Sequence, residues 1–266
     1  MLIVGEKINT SIPGISEAVE GKDVLFIQNL AKRQVEAGAN VIDANVGTRI
    51  HTEAEDMRWL VKTIQSAIDV PLSIDSPNPE ALRMGLKEHK GRAMLNSITG
   101  ESKRVKDILP LLKEFRPSVI ALTMDDGGIP QDAETRYQIS QRLVELLSSA
   151  GIPEDNMYMD PLMRPISTDS EAGLAVLDSI RKIKNSSKEI HVICGLSNIS
   201  FGLPKRGLIN RAFLLMAMAQ GLDSVILDPL DRKLISLIRA GEALLGKDKY
   251  CAEYLRAFRA DELAGE

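Results

Sequence analysis

Leu72-Ser73-Ile74-Asp75-Ser76-Pro77-Asn78-Pro79-Glu80 holds one structural unit. The opening run is short and nearly continuously apolar, as expected of a strand buried on both faces. It ends on a carboxylate. Two prolines follow, placed just before or inside the first turn of a helix, where a missing N–H costs little. From Glu80 the apolar residues recur at helical spacing. The stretch therefore reads as strand, polar strand end, helix.

The same grammar repeats along the chain. Further apolar runs fall at residues 2–6, 41–45, 93–97, 119–124, 157–161, 190–195 and 224–228. Segments of 3.6-residue period lie at 24–37, 57–68, 80–88, 103–115, 132–150, 171–184, 209–220 and 233–245. In the first of these, Leu25, Ile27, Leu30, Ala31 and Val35 recur near i, i+3 and i+4. Gly38, Gly151 and Gly221 follow three of the helices, as helix ends require. Pro110 falls inside its helical segment and is expected to kink or divide it. Eight strands alternating with eight helices predict a closed α/β barrel, the (β/α)8 TIM barrel. An open doubly wound sheet is the competitor, but no GxGxxG follows the first strand.

Length agrees: 266 residues lie close to the ~250 typical of this barrel. No repeat, low-complexity tract or linker appears, so one domain over residues 1–266 is expected. The last ten or so residues, ending in Asp261-Glu262-Leu263-Ala264-Gly265-Glu266, are polar enough to fray. Aromatic residues make up only 4% of the chain, so aliphatic side chains must fill the interior. A net charge of −4 gives no general attraction for nucleic acid. Cys194 and Cys251 form no CxxC pair, which argues against a thiolate metal site and a disulfide framework. The apolar start is short and broken by Glu6, unlike a signal peptide. No apolar run approaches the ~18–20 residues that span a bilayer. A cytoplasmic protein without membrane or metal ligands is the expectation.

In such a barrel the site lies at the C-terminal ends of the strands. The residues there are Glu6 and Asn9, Asp43 and Asn45, Asp75, Asn96, Asp160, Ser197 and Asn198, and Asp228. Carboxylates and amides converge, whereas His and Cys ligands do not. An Asp at such a junction can simply cap the next helix. Asn96 sits between flanks that would be buried, and a buried amide needs partners. Asp160 precedes Pro161, which offers no N–H to cap; Asp228-Pro229 repeats the pattern. A reduced pterin presents donors that carboxylates accept from: a 2-amino group, N3–H and N8–H. A sugar or nucleobase could use the same groups, so the chemistry alone leaves the ligand open.

A longer set of motifs narrows it. Gly5-Glu6-Lys7-Ile8-Asn9, Ile42-Asp43-Ala44-Asn45-Val46-Gly47, Ser73-Ile74-Asp75-Ser76, Asn96-Ser97 and Asp160-Pro161-Leu162 occur in order. Gly195-Leu196-Ser197-Asn198-Ile199-Ser200-Phe201-Gly202-Leu203-Pro204 and Ile209-Asn210-Arg211 follow. Together they resemble the pterin-binding methyltransferases that move a methyl group between tetrahydrofolate and a corrinoid protein. The folate module of cobalamin-dependent methionine synthase shares these motifs; here that module is expected without its companion domains.

The resemblance implies that Asp75, Asn96 and Asp160 anchor the pterin. It places Asn198 near N5, as the catalytic contact, with Gly195 and Ser197 also against the substrate. Arg206, with Lys205 and Arg211, is expected to meet the benzoyl-glutamate tail. Tetrahydrofolate or 5-methyltetrahydrofolate would be the substrate, and cobalamin would be carried by a partner corrinoid protein. A homodimer is implied as well. N5 must be protonated to leave when methyl departs; Asn198 cannot supply that proton, but its oxygen can stabilise N5–H⁺.

Where some corrinoid/iron–sulfur-protein methyltransferases of the acetyl-CoA pathway have Gln, this chain has Phe201, as in the methionine-synthase and demethylase branches. A dihydropteroate synthase would need basic residues at the last strand, where Asp228-Pro229-Leu230 stands. A non-catalytic pterin-binding module would keep Asp75 and Asp160 without methyl transfer. His191 reads as a packed core residue and Met124 as cavity wall.

Overall fold

The computed structural model describes residues 1–264. Its strands are β1 (Leu2–Gly5), β2 (Val41–Asn45), β3 (Leu72–Asp75), β4 (Met94–Thr99), β5 (Ser118–Leu122), β6 (Met157–Asp160), β7 (His191–Val192) and β8 (Ser224–Leu227). All pair in parallel, in the order β7-β6-β5-β4-β3-β2-β1-β8. The Ile226 N–H reaches the Cys194 carbonyl at 2.9 Å, and Gly195 bridges to Ile226, so the ring closes between β7 and β8. This is the expected (β/α)8 barrel.

Helices alternate with the strands: α1 (Ile15–Glu20), α2 (Val24–Glu36), α3 (Glu53–Gln65), α4 (Pro79–Glu88), α5 (Ser102–Phe115), α6 (Ala133–Ser149), α7 (Ala172–Ser186), α8 (Arg206–Ala219), α9 (Arg232–Leu244) and α10 (Ala252–Arg259). Because strand side chains alternate in direction, the barrel has two cores. Val4, Val41, Met94, Ile120, Tyr158 and Ile193 fill its interior. Ile3, Ile42, Ile74, Leu95, Val119, Met159 and Val225 point outward and pack with the helices. Continuing the inward series one step along each strand gives Glu6, Asp43, Asp75, Asn96, Asp160 and Asp228. Period two therefore turns an apolar interior into a polar mouth.

Three expectations need correction. Pro110 leaves α5 continuous. Pro110 and Lys106 are both exposed, so the Lys106 carbonyl that loses its N–H partner faces solvent. The tail is held through residue 264 instead of fraying. Ala257 is fully buried, Arg232 donates to the Asp261 carbonyl, and the Ala264 N–H reaches Ser236 Oγ at 2.7 Å. Residues 265–266 lie outside the described residues. Finally, α1 and α10 are helices where none was expected. Gly38, Gly151 and Gly221 do take positive φ.

Candidate functional site

Register builds the floor of the mouth. Asn45 pairs with Asp75 across β2 and β3, and Asp75 with Asn96 across β3 and β4. Asn45 Nδ2 donates to Asp75 Oδ2 at 2.6 Å, and Ser73 Oγ donates to buried Asp43 at 2.7 Å. Asn96 faces Asp43 and helps hold its charge, although burial and nearby Asp75 still push the Asp43 carboxyl well above its usual range. Burial likewise lifts Asp75 to about 6, against the opposing pull of Asn45 and Arg104. Asp75 caps no helix: Asn78 caps α4, with Pro79 in its first turn.

Asp160 stands opposite, paired with Leu122 across β5 and β6. It is 7% exposed. Pro161 denies it an adjacent N–H, and the chain supplies the next one: Leu162 donates to Asp160 Oδ1 at 2.7 Å. Burial pushes Asp160 to about 7, with the Leu162 N–H and the Arg136 charge pulling the other way. Among the described residues, Asp75 Oδ1, Asp160 Oδ2 and the side-chain amide of Asn198 have no hydrogen-bond partner. The mouth thus holds unspent acceptors and an unspent amide.

Gly195, Ser197 and Asn198 come together on the segment after β7. Gly195 opens a 3-10 turn, Leu196–Ser200, on which Asn198 is exposed. A Cβ on Gly195 would lie 3.2 Å from Asn198 Nδ2, so a side chain there would crowd the amide in its present position. Arg206 is exposed, and its guanidinium is engaged by the same segment. Its Nε donates to Ser200 Oγ at 3.0 Å and an Nη donates to the Ser197 carbonyl. Arg211 is held by Asp231 at 2.8 Å, and Arg49 by Asp56 at 2.6 Å. His191 stacks on Tyr158 with ring centroids 4.7 Å apart and bonds Asp223.

Arg104 was not singled out by sequence. It donates to the carbonyls of Ser76, Pro77 and Ser97, tying the ends of β3 and β4 together beside Asp75. A cavity of about 350 Å³ opens there, lined by Asp75, Ser76, Ser97, Thr99, Arg104 and Leu122 among others. Nothing in the run Ser102-Lys103-Arg104-Val105 distinguishes Arg104 from a solvated helix charge. Asp43 and Asn45 did carry a signal: two polar residues at i and i+2 on one inward strand face. A larger cavity of about 440 Å³ lies outside the barrel, between α2 and α9. Its Arg232 and Arg239 are already engaged by the Asp261 carbonyl and by Glu262.

A parallel barrel with convergent carboxylates and amides at its mouth defines a class, and the comparisons agree: the chain belongs to the pterin-binding enzyme family, which matches residues 8–228. Within it, the chain is similar to the methylcorrinoid:tetrahydrofolate methyltransferase of Eubacterium limosum, 37% identical over 99% of this chain and 98% of that one. It is also similar to methionine synthase of Mycobacterium tuberculosis, 30% identical over 85% of this chain but 20% of that protein. This chain thus corresponds to about a fifth of the synthase. Among solved structures, a Clostridium difficile dihydropteroate synthase with pteroic acid superposes with TM-score 0.71 at 20% identity, covering 92% of this chain and 96% of that one. At that identity the likeness is one of fold.

Proposed function

We propose that this chain transfers a methyl group from a methylcorrinoid protein to N5 of tetrahydrofolate, by a reaction that can run in either direction. The relative matched along its whole length carries that activity in its name. The observation that carries the reading is the unspent hydrogen-bonding capacity at the mouth. Asp75, Asn96 and Asp160 accept from the pterin's 2-amino, N3–H and N8–H groups. A heterocycle lacking those donors would leave buried acceptors unpaired, at ~1–3 kcal/mol each.

In the transfer, the N5 lone pair forms the N–C bond. The cobalt–carbon bond breaks with both electrons staying on cobalt, which passes from Co(III) to Co(I). N5 briefly carries a positive charge and then loses its proton to water. The Asn198 side-chain oxygen accepts a hydrogen bond from N5–H⁺ and stabilises that charge. Gly195 and Ser197 line the same side of the substrate. A single domain, a homodimer and a cytoplasmic setting complete the proposal.

Purified protein given methylcobalamin and tetrahydrofolate should produce 5-methyltetrahydrofolate and cob(I)alamin, followed by absorbance. Folate binding without transfer, from free methylcobalamin and from a methylated corrinoid protein alike, would overturn the reading. Asn198→Ala should slow transfer by about 10²-fold, the scale of one lost charge-stabilising contact, with a smaller loss in tetrahydrofolate binding. Equal losses in rate and binding would remove Asn198 from the reacting centre.

A further inference from the structure

Arg206 stands where its charge is poorly placed. It is the first residue of α8, and the N-terminus of a helix carries partial positive charge that disfavours a cation. Its side chain turns back out of the helix. Nε donates to Ser200 Oγ at 3.0 Å, an Nη donates to the Ser197 carbonyl, and the guanidinium carbon lies 5.9 Å from the centre of the Phe201 ring. These three partners surround Asn198 in sequence.

The turn they share needs such support. The hydrogen bonds at its two ends are long: Asn198 N–H to Gly195 O at 3.3 Å and Phe201 N–H to Asn198 O at 3.2 Å. A 3-10 turn has poor hydrogen-bond geometry to begin with. On one side the turn is tied to the segment after β6, through Ile166 N–H to Ile199 O at 3.1 Å and Ser167 Oγ to Phe201 O at 2.7 Å. On the other side stands Arg206. The Asn198 side chain contributes nothing to the fastening, since its amide is partnerless among the described residues. The surroundings of Arg206 are also not those of a vacant anion site. Glu6 is close enough to feel its charge: burial and Asp228 raise the Glu6 carboxyl, while Lys7 and Arg206 pull it down.

We propose that Arg206 is a positioning residue, whose guanidinium clasps the Leu196–Ser200 turn and so aims the Asn198 amide at N5 of the pterin. This rests on the methyl-transfer reading above. It differs from a role in binding the acidic folate tail, and substrates separate the two. Methyl transfer to cob(I)alamin is measured from 5-methyltetrahydrofolate and from an N5-methyl tetrahydropterin lacking the aminobenzoyl-glutamate.

Arg206→Ala should lower kcat by the same factor with both donors, up to about 10²-fold, the cost of a ~1 Å misplacement, with KM unchanged. Arg206→Lys should recover little, because an ammonium cannot reproduce the planar fork. Added to Asn198→Ala, Arg206→Ala should cost nothing further. A loss confined to the tailed donor and expressed in KM would overturn the proposal. Hydrogen exchange at residues 197–201 reads the clasp without activity: Arg206→Ala should accelerate it, and unchanged exchange would also overturn it. Wild-type protein that binds both donors yet transfers from neither would instead sink the methyl-transfer reading, leaving the exchange result to judge the clasp.

Discussion

Asp160-Pro161-Leu162 and Asp228-Pro229-Leu230 are the same three residues at the ends of two strands. They share one local contact, although Leu162 takes a φ of 58° and Leu230 does not take a positive φ. In each, the Asp Oδ1 accepts from the Leu N–H two residues on, at 2.7 and 2.9 Å, because the intervening proline has no N–H to offer. What faces them differs. Lys7 reaches Asp228 at 3.1 Å, so that carboxylate is paired inside the protein. Asp160 has no such contact; it is buried, and burial raises it to about 7. The tripeptide sets the Asp–Leu hydrogen bond, and the residue across the mouth decides whether the second oxygen is paired within the protein.

The largest effect expected from this contrast is in folate binding. Asp160→Ala removes a hydrogen bond to a charged group, worth ~1.5–3 kcal/mol, which is about 10- to 10²-fold in affinity. Asp228→Ala should leave affinity nearly unchanged. Calorimetric titration of both variants with tetrahydrofolate tests the pair, and equal losses would break the comparison.

A smaller effect follows from charge. Only an ionised carboxyl keeps its second oxygen purely an acceptor for the pterin while the first accepts from the protein. Asp75 and Asp160, lifted by burial to about 6 and about 7, should therefore bind tetrahydrofolate more tightly as pH rises through that range. The gain is at most about tenfold per pH unit for each group. Asp160→Asn should flatten the upper part of the profile. The empty barrel should respond in the opposite sense. A carboxyl raised above its unfolded value of ~3.9 binds more protons in the folded state, so stability falls as pH climbs from about 4 to about 7. Asp160→Asn should then raise Tm at pH 8, while Asp228→Asn should not. A parallel pH profile in both variants would place the titration elsewhere.

The barrel was legible because its strands alternate an apolar run with a polar end, as Leu72–Asp75 does. Boundaries slipped where other contacts overrode the pattern. The run at 190–195 is a strand only over His191–Val192; from Gly195 the chain turns to present Asn198. Helix α1 spans six residues, too few to show a helical period. The C-terminal segment is polar, yet Arg232, Ser236 and Arg239 on α9 hold it, and such side-chain contacts leave no mark in local composition. At the site, Asp75, Asn96 and Asp160 stood out as strand ends. Arg104 did not, because the carbonyls it binds are assembled only when β3 and β4 lie side by side.

Lys7→Met supplies the smallest and sharpest test of the contrast. It removes the partner that distinguishes Asp228 from Asp160 while leaving both turns intact. Lys7 and Asp228 are each about a third exposed (30% and 33%), so solvent already screens the pair and its loss should cost at most ~1 kcal/mol of stability. That loss should shrink in high salt. Glu6 should feel it more than the fold does. Burial and Asp228 already raise the Glu6 carboxyl, while Lys7 and Arg206 lower it, so removing Lys7 leaves Arg206 alone opposing them and moves Glu6 further up. Folate affinity near pH 8 should stay at the wild-type value, because Asp228 still faces no pterin donor. A gain in affinity that Asp228→Ala then abolishes would mean that pairing with Lys7 is all that keeps Asp228 out of the ligand set.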